Sequence, residues 1–168
     1  MDTYTILGHI VADLPECLND DVIQVESITD RVDELRSETD DLRTALAEAK
    51  EADEEAGLDC FTQSPEHTAA AAALLEWMPT GFSEMKALEA LLEDLRGNGG
   101  DHQWEGDWYP ATLYRDDETF TDHIEELTTD CYSLTLPPFV EVDWKATADN
   151  CRVDYSETDI DGVSYLYR

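Results

Sequence analysis

The sequence feature that most constrains the fold is a heptad repeat between residues 18 and 49. Mostly apolar side chains recur there at alternating steps of three and four, so they share one face of a helix. A strict seven-residue repeat also favours a left-handed supercoil with a partner helix. The pattern predicts a long amphipathic helix whose seam residues are Val25, Ile28, Val32, Leu35, Thr39, Leu42, Leu46 and Ala49.

The partner of this seam is open at the level of sequence. β-Branched residues at one seam position and Ile or Leu at the other are typical of two-stranded coiled coils. That pattern predicts a homodimer through Val25, Ile28, Val32, Leu35, Leu42 and Leu46. The alternative is that the helix packs on later helices of its own chain. The charges that flank the seam do not decide between these two possibilities, because a parallel dimer would contain both attractive and repulsive pairs.

Two further helices follow the heptad helix. Ser64 and Pro65 form a typical helix start, with a serine cap and proline at the first helical position. An alanine-rich run with high helix propensity continues from there to Met78. Residues 79–81, Pro-Thr-Gly, predict a turn, and Ser83 predicts the start of a third helix. A short turn between two helices favours an antiparallel hairpin, which is the best intramolecular partner for the heptad seam.

The C-terminal part contains signals for both helix and strand. Asp116 or Asp117 is predicted to cap a helix that extends to about Cys131, and Asp143 is predicted to cap a shorter one. The Asp161-Gly162 pair predicts a hairpin turn between two short strands. Residues 2–14 suit either a strand or a helix. The fold class expected is α+β, mainly α, with a helical or coiled-coil region at residues 1–100 and an acidic α/β-hairpin subdomain at residues 101–168, divided within the glycine-rich, aromatic linker 97–110.

The charge of the chain narrows its partners. Asp and Glu number 41 against 10 Lys and Arg, so the net charge is -31. These acids are spread along the whole chain rather than confined to a tail. B-DNA carries one charge per ~1.7 Å of axis, so this net charge equals that of roughly 50 Å of duplex. Nucleic acid and anionic membrane are therefore poor direct partners, and a basic protein surface is a good one.

Candidate metal ligands do not form a complete set. His123 and Glu126 have the spacing of a helical ligand pair, but no second pair accompanies them. Residues 157–168 match the first half of a calcium loop, but its twelfth position is Arg168, where a bidentate Glu is required. The sequence therefore predicts no metal and no other cofactor.

Motifs for nucleophilic catalysis and phosphate binding do not occur either. No G-x-S-x-G is present, and the glycines at 97–100 lead to no Lys-Ser or Lys-Thr pair. The cysteines form no CxxC motif, which predicts reduced thiols in a cytosolic protein; they are Cys17, Cys60, Cys131 and Cys151. No signal peptide or membrane-spanning run is expected. An enzyme is not predicted.

Three interpretations of the acidity remain. The carboxylates imitate the phosphates of DNA and occupy the basic groove of a nucleic-acid-binding complex, or they are an adaptation to high salt, or the chain is an acidic coiled-coil interaction or scaffold protein. Under the first interpretation the contacts lie on the outward face of the heptad helix and on the later helix. They are Asp33, Glu34, Asp40, Asp41, Glu48, Asp116, Asp117, Glu118, Asp122, Glu125 and Glu126.

A series of motifs in the last third of the chain favours the first interpretation. In order they are Tyr109-Pro110-Ala111-Thr112-Leu113, Asp117, His123-Ile124-Glu125-Glu126-Leu127, Val142-Asp143-Trp144-Lys145-Ala146-Thr147-Ala148, Asp154-Tyr155, Asp161-Gly162-Val163-Ser164-Tyr165 and Arg168. This series resembles the C-terminal segment of phage and prophage proteins labelled antirestriction or ArdA-like, which are small and acidic. Lys145 departs from the acidic pattern expected there.

The resemblance implies a function. The ArdA family consists of elongated dimeric DNA mimics that inhibit type I restriction enzymes, and acidic mimics also occur among phage anti-CRISPR proteins. The resemblance therefore implies a phage-encoded inhibitor of a host defence system that acts as a DNA mimic. Its expected partner is a restriction enzyme or a Cascade-type CRISPR complex. The expected site of action is the host cytoplasm, and the expected oligomer is a homodimer.

Overall fold

The structure, a computed structural model, describes residues 3–58, 62–96, 109–131, 137 and 139–168. It is mainly helical with one antiparallel sheet, in agreement with the α+β, mainly α class predicted from sequence. The strands are β1 (Tyr4–Ile6), β2 (His9–Val11), β3 (Val22–Gln24), β4 (Thr112–Arg115), β5 (Ser156–Ile160) and β6 (Val163–Tyr167). The α-helices are α1 (Val25–Glu55), α2 (Pro65–Trp77), α3 (Ser83–Leu95), α4 (Glu118–Glu126) and α5 (Trp144–Cys151).

The six strands form a single sheet in the order β2-β1-β5-β6-β4-β3, with antiparallel pairing. The three strands that follow residue 100 lie together in the centre of this order and are flanked on both sides by strands that precede it, so the division predicted at residue 100 does not separate the sheet. The linker at 97–108, where that division was placed, lies outside the described residues. Residues 4–11, for which sequence left two possibilities open, form the β1–β2 hairpin.

The sheet is covered by helices on both faces. Successive side chains of a strand point to opposite faces, and neighbouring residues of β4 and β6 separate accordingly. Leu113 and Tyr165 belong to the larger core with α1 and α3. Leu166 and Tyr114 belong to a second core with α4 and α5. The result is a three-layer arrangement in which α1 and α3 cover one face and α4 and α5 cover the other.

The heptad positions from Val25 to Ala49 lie within α1, which is 31 residues long. It begins at Val25, directly after β3. It ends near Gly57, whose φ of +73° suits the left-handed residue that follows many helices.

The turn predicted at residues 79–81 is wrong. Residues Met78–Phe82 form a π-helical segment, so the chain is helical from Pro65 to Leu95. A proline within an α-helix lacks an amide donor and crowds the carbonyl four residues earlier. The wider π turn accommodates Pro79 without ending the helix.

The hairpin predicted between the helices on either side of residues 79–81 does not form, because they belong to one continuous segment, 65–95, which packs against α1 instead. His67 near the start of α2 contacts Asp53 near the end of α1, and Glu84 of α3 contacts Arg31 near its start. The two long helices are therefore antiparallel. Their shared contacts place the heptad seam inside the chain.

The seam is buried unequally along α1. Five positions in its first half are buried, namely Val25, Ile28, Val32, Leu35 and Thr39. Leu42, Leu46 and Ala49 in its second half are only half-buried, and α2, which lies beside them, contains no buried residue. We call residues 25–39 the inner half of α1, and residues 40–55 together with α2 the outer helix pair. No helix in the described ranges has the length and apolar content needed to cross a lipid bilayer.

Candidate protein-interaction surface

The outward face of α1 carries the first set of carboxylates that sequence predicted as contacts. All five, Asp33, Glu34, Asp40, Asp41 and Glu48, are exposed. Two of them are ion-paired within the helix, Glu34 with Arg31 at 3.1 Å and Asp33 with Arg36 at 3.1 Å. Among the described residues Asp40, Asp41 and Glu48 make no ion pair or side-chain hydrogen bond. The unpaired charge therefore lies on the outer helix pair.

The second predicted set lies on and just before α4. Asp117 caps the helix, since its Oδ1 accepts a hydrogen bond from the Thr119 amide at 2.8 Å, and it also pairs with Arg115 at 3.1 Å. Burial opposes its charge, but the hydrogen bonds from Thr119 and the Arg115 charge lower the pKa of Asp117. Asp116 is ion-paired with Arg152.

The remaining four carboxylates of this second set are exposed. In the part of the chain that the structure describes, they form no ion pair and no side-chain hydrogen bond. They are Glu118, Asp122, Glu125 and Glu126. Seven of the eleven predicted contact residues thus carry negative charge that is available to a partner.

The two sets lie on opposite faces of the sheet, because α1 and α4 belong to different cores. A flat basic surface on one side could contact only one set. A partner that surrounds its ligand, as proteins that enclose a nucleic-acid duplex do, could contact both. This arrangement of charge follows from the sheet topology and was not predicted from the sequence.

A cleft of about 540 Å³ lies between the start of α4 and α5. It is lined by five carboxylates, Asp116, Asp117, Glu118, Asp122 and Asp149, together with Thr121 and the two bases Lys145 and Arg152. Arg152 pairs with Asp116 and lies 3.7 Å from Asp149. The cleft therefore has a net negative but mixed charge, and Lys145 lies inside it rather than apart from the acidic surface.

The carboxylates of the β5–β6 turn are used within the fold. Asp159 accepts a hydrogen bond from the Gly162 amide at 3.0 Å, and Asp161 accepts one from the Thr5 amide at 3.0 Å. Asp161 and Gly162 both have positive φ, as a tight two-residue hairpin turn requires. Among the described residues no group of His, Cys, Asp and Glu side chains is arranged to hold a metal ion.

His123 belongs to an aromatic cluster under α4. Its ring stacks on Tyr114 with centroids 3.8 Å apart, and its Nε2 lies 3.2 Å from the Tyr155 hydroxyl. Burial lowers the pKa of His123, and the Glu126 charge only partly opposes this effect. The side chain therefore packs as a neutral ring beneath the acidic helix.

The sequence did not predict the hydrogen-bonded group of Asp53, Ser64 and His67 at the far end of the outer helix pair. Asp53 is buried and accepts hydrogen bonds from the Ser64 amide, and the Nδ1 atom of His67 lies 2.7 Å from its carboxylate. Hydrogen bonds from Ser64 and then from His67 lower the pKa of Asp53. Ser64 was predicted as a cap and does accept the His67 amide. Asp53 could not be predicted as a member of this group, because only the antiparallel packing of α1 and α2 brings it to Ser64 and His67.

The predicted dimer seam is largely unavailable in this structure. Val25, Ile28, Val32 and Leu35 are buried within one chain against α3 and the sheet. Leu42 and Leu46 remain half-buried. A homodimer through the whole heptad repeat would require α1 to leave its own core.

Two cysteines form no disulfide among the described side chains. Cys17 and Cys151 are free, and burial raises the pKa of the Cys17 thiol to about 11. A thiol with so high a pKa is a poor nucleophile at neutral pH. Cys60 lies outside the described residues, and the side chain of Cys131 is likewise not described.

The fold and the surface together define an acidic three-layer α+β protein with carboxylate-rich helices on both faces. Comparison of the chain with protein families, with curated protein sequences and with solved structures gave no match.

Proposed function

We propose that this protein is a phage-encoded inhibitor that mimics DNA and occupies the nucleic-acid-binding surface of a host defence complex. The target class is a restriction enzyme or a CRISPR surveillance complex of the Cascade type, reached in the host cytoplasm. Inhibition is stoichiometric, without turnover and without a cofactor. The C-terminal motifs that resemble antirestriction proteins support the choice of target class.

The observation that carries this proposal is the set of unpaired carboxylates on two faces of the fold. Asp40, Asp41 and Glu48 lie on α1, whose first half packs on one face of the sheet, and the α4 set lies on the helix that covers the other face. A duplex presents phosphates around its whole circumference, so a protein that surrounds DNA has basic groups on more than one side. Acidic helices on both faces of a sheet suit such an enclosing site better than they suit a flat surface.

Capture of the target tests the proposal most directly. Tagged protein is incubated with lysate of a defence-competent bacterium at low and moderate salt, and the bound proteins are identified by mass spectrometry. We expect recovery of a defence complex that duplex DNA displaces, and displaces more easily at higher salt because exposed ion pairs are screened. Recovery of no nucleic-acid-binding complex would overturn the proposal.

A matched set of variants tests whether charge at these positions is responsible. The triple change Asp40→Asn, Asp41→Asn and Glu48→Gln should strongly weaken inhibition of DNA binding, whereas each single change should have a small effect because one exposed pair contributes about 0.2–1 kcal/mol. The control removes three exposed acids elsewhere, Asp13, Glu16 and Asp20, and thus changes the net charge equally. Equal effects from both triple variants would indicate non-specific electrostatics instead.

The alternative is an acidic interaction or scaffold protein without mimicry. It predicts that a captured complex stays bound when DNA is added and that its DNA binding is unaffected. A high-salt adaptation predicts unfolding in dilute buffer. Circular dichroism in dilute and concentrated salt separates that alternative from both of the others.

A further inference from the structure

One edge of the sheet is open. β3 lies at the end of the strand order, and β4 is its only partner strand among the described residues. In an antiparallel pair the backbone groups of alternate residues point toward the partner strand. The Asp21 carbonyl accepts a hydrogen bond from the Arg115 amide at 2.9 Å, and the Val25 amide donates one to the Ala111 carbonyl at 3.0 Å. Positions 21, 23 and 25 therefore face β4, and the backbone groups of positions 22 and 24 point away from the sheet.

These outward groups belong to Val22 and Gln24, which are both exposed. The Gln24 carbonyl accepts a hydrogen bond from the Ser27 hydroxyl at 2.6 Å. The Val22 amide, the Val22 carbonyl and the Gln24 amide make no hydrogen bond within the ranges that the structure describes. Unpaired groups in a row along a strand are a template for the addition of another strand.

A groove of about 420 Å³ lies along this open edge. It is lined by β3, by residues of the 3₁₀ turn Glu16–Leu18 and by one side of α1, where Ser27, Arg31 and Glu34 are spaced by four and three residues. At a rise of 1.5 Å per residue these positions cover about 10 Å of α1, which is about the length of three residues of an extended strand. We call this the β3-edge groove.

The β3-edge groove is acidic. Its lining includes four carboxylates and one base, Arg31, whose guanidinium is paired with Glu84 at 2.7 Å and with Glu34 at 3.1 Å. The other three carboxylates form no ion pair and no side-chain hydrogen bond in the described part of the chain; they are Glu16, Asp20 and Asp30. All three are exposed, so their charge is available to a group that enters the groove.

We propose that the β3-edge groove binds an extended, basic segment of a partner protein, which joins the sheet beside β3. The unpaired groups of Val22 and Gln24 bond the main chain of this segment. Side chains of a strand point alternately to the two faces of a sheet, so every second side chain of the segment lies over the groove. Lys or Arg at these positions places its charge near Glu16, Asp20 and Asp30, and its aliphatic stem lies along the groove.

The intervening side chains of the segment lie on the other face of the sheet. Ile23 is buried on the face that α1 covers, so Val22 beside it belongs to the opposite face. The Val22 side chain is 39% exposed. An apolar residue of the segment covers it, and burial of this apolar area is favourable. The expected segment therefore alternates basic with apolar residues.

Charge selects this occupant over two others. A second copy at the same edge would place the three unpaired carboxylates of one chain against the same three of the other, and like charges along a sheet edge oppose pairing. Nucleic acid would meet the same repulsion. A basic segment is attracted instead. Because the groove is separate from the carboxylates proposed to compete with DNA, this inference does not rest on the proposed function.

Nuclear magnetic resonance of the isotope-labelled intact protein tests the site with the acetylated and amidated peptide Lys-Val-Lys-Val-Lys. We expect saturable binding, the largest amide shifts in β3, and slower hydrogen exchange of the Val22 and Gln24 amides as they become bonded. A control peptide has the same side chains but N-methylated main-chain amides, which cannot donate to the Val22 carbonyl. It should bind at least about threefold more weakly. Equal affinities of the two peptides, shifts centred away from β3 or no saturable binding would overturn the proposal.

Two substitutions at Gln24 test the backbone of β3 itself. The φ of Gln24 is -83°, close to the range of proline, and its amide points away from β4. Gln24→Pro therefore removes the outward donor and should weaken peptide binding at least about threefold. Gln24→Ala loses the same side-chain hydrogen bond with Thr112 but keeps the amide, so it should bind as the wild type does. Circular dichroism checks the fold of both variants, and equal losses of affinity would show that the peptide does not pair with β3.

Charge variants separate this site from the surface proposed for DNA mimicry. The variant with Asp13→Asn, Glu16→Gln and Asp20→Asn should weaken peptide binding about two- to thirtyfold, because two of these residues line the groove. The triple variant of α1 at positions 40, 41 and 48 removes the same net charge and should leave peptide binding unchanged. The opposite order is expected for inhibition of DNA binding, so either proposal can fail alone. Equal losses of peptide affinity would indicate attraction by net charge and would overturn the groove as the site.

Discussion

The two halves of α1 have the same heptad pattern but different surroundings. In the inner half the seam side chains lie between α3 and the sheet, and they are buried. In the outer helix pair the equivalent side chains meet only α2, and they are half-buried. A helix pair can cover one face of each helix, whereas a third layer is needed to exclude water from the remaining sides. A repeat in sequence therefore specifies which face packs, but not how completely.

The largest expected effect concerns this difference in burial. Leu35→Ala in the inner half should lower the free energy of unfolding by about 2–5 kcal/mol, because it leaves a cavity in a closed core. Leu46→Ala should cost less than about 1.5 kcal/mol, because water can reach the vacated space. Urea denaturation measures both, and an unchanged m-value indicates that the same transition is compared. Equal losses from the two substitutions would contradict the distinction between the halves.

The next largest loss of stability is expected from a substitution at Gly81, at the junction between the outer helix pair and the core. A Cβ atom at Gly81 would come within 2.1 Å of the Trp77 ring. Alanine is the better helix former by up to about 1 kcal/mol, but the rigid ring cannot give way, so Gly81→Ala should destabilise by about 1–3 kcal/mol.

The double variant Trp77→Ala with Gly81→Ala is the control for this junction. With the Trp77 ring removed, alanine at position 81 should cause no further loss of stability. It should instead stabilise the helix, because alanine has a higher helix propensity than glycine. Thermal unfolding of the two single variants and the double variant gives the coupling between the positions. Additive losses would show that Gly81 is required for a reason other than the ring.

As the pH is lowered, the region around His123 of α4 should lose stability at a higher pH than the outer helix pair. The folded protein holds the pKa of His123 below its ordinary 6.5, so protonation favours the unfolded chain. The contribution of neutral His123 to the free energy of unfolding is complete above pH 6.5. It falls as the pH drops from 6.5 toward the lowered pKa of the folded protein. His123→Phe, which retains an aromatic ring against Tyr114, should flatten the dependence of unfolding free energy on pH in this window. An unaltered pH profile would rule out His123 as its cause.

The smallest loss of stability is expected when the hydrogen bonds of Asp53 with Ser64 and His67 are removed, and it should be confined to α2. Hydrogen bonds from Ser64 and His67 lower the pKa of Asp53 from 3.8, so its stabilising effect is present above that value and is lost as pH falls through the lowered pKa. Asp53→Asn should speed amide hydrogen exchange in α2 at neutral pH and leave α3 unaffected, since α3 lies in the main core. Exchange that rises equally in α2 and α3 would show that the two helices open as one unit.

Local signals in the sequence predicted most elements because their causes are local. Asp117 and Asp143 cap α4 and α5 as predicted, since an N-cap needs only a side-chain oxygen and the following amides. The Asp161-Gly162 pair forms its turn because both positions must adopt positive φ. In contrast, β3 was missed, since three residues that lead directly into a helix carry little pattern of their own. Val22–Gln24 become a strand only by pairing with β4.

The sequence by itself determined the net charge, the packing face of α1 and the mainly helical class, because composition and periodicity are properties of the chain alone. Only the tertiary structure decided where that face packs, because Val32 and Leu35 suit a second copy and α3 equally well until the chain is folded. It also decided which carboxylates are available, since pairing of Asp33 or Asp116 depends on where an arginine side chain lies. The placement of acidic helices on both faces of one sheet followed from strand order, which links residues more than a hundred positions apart in sequence.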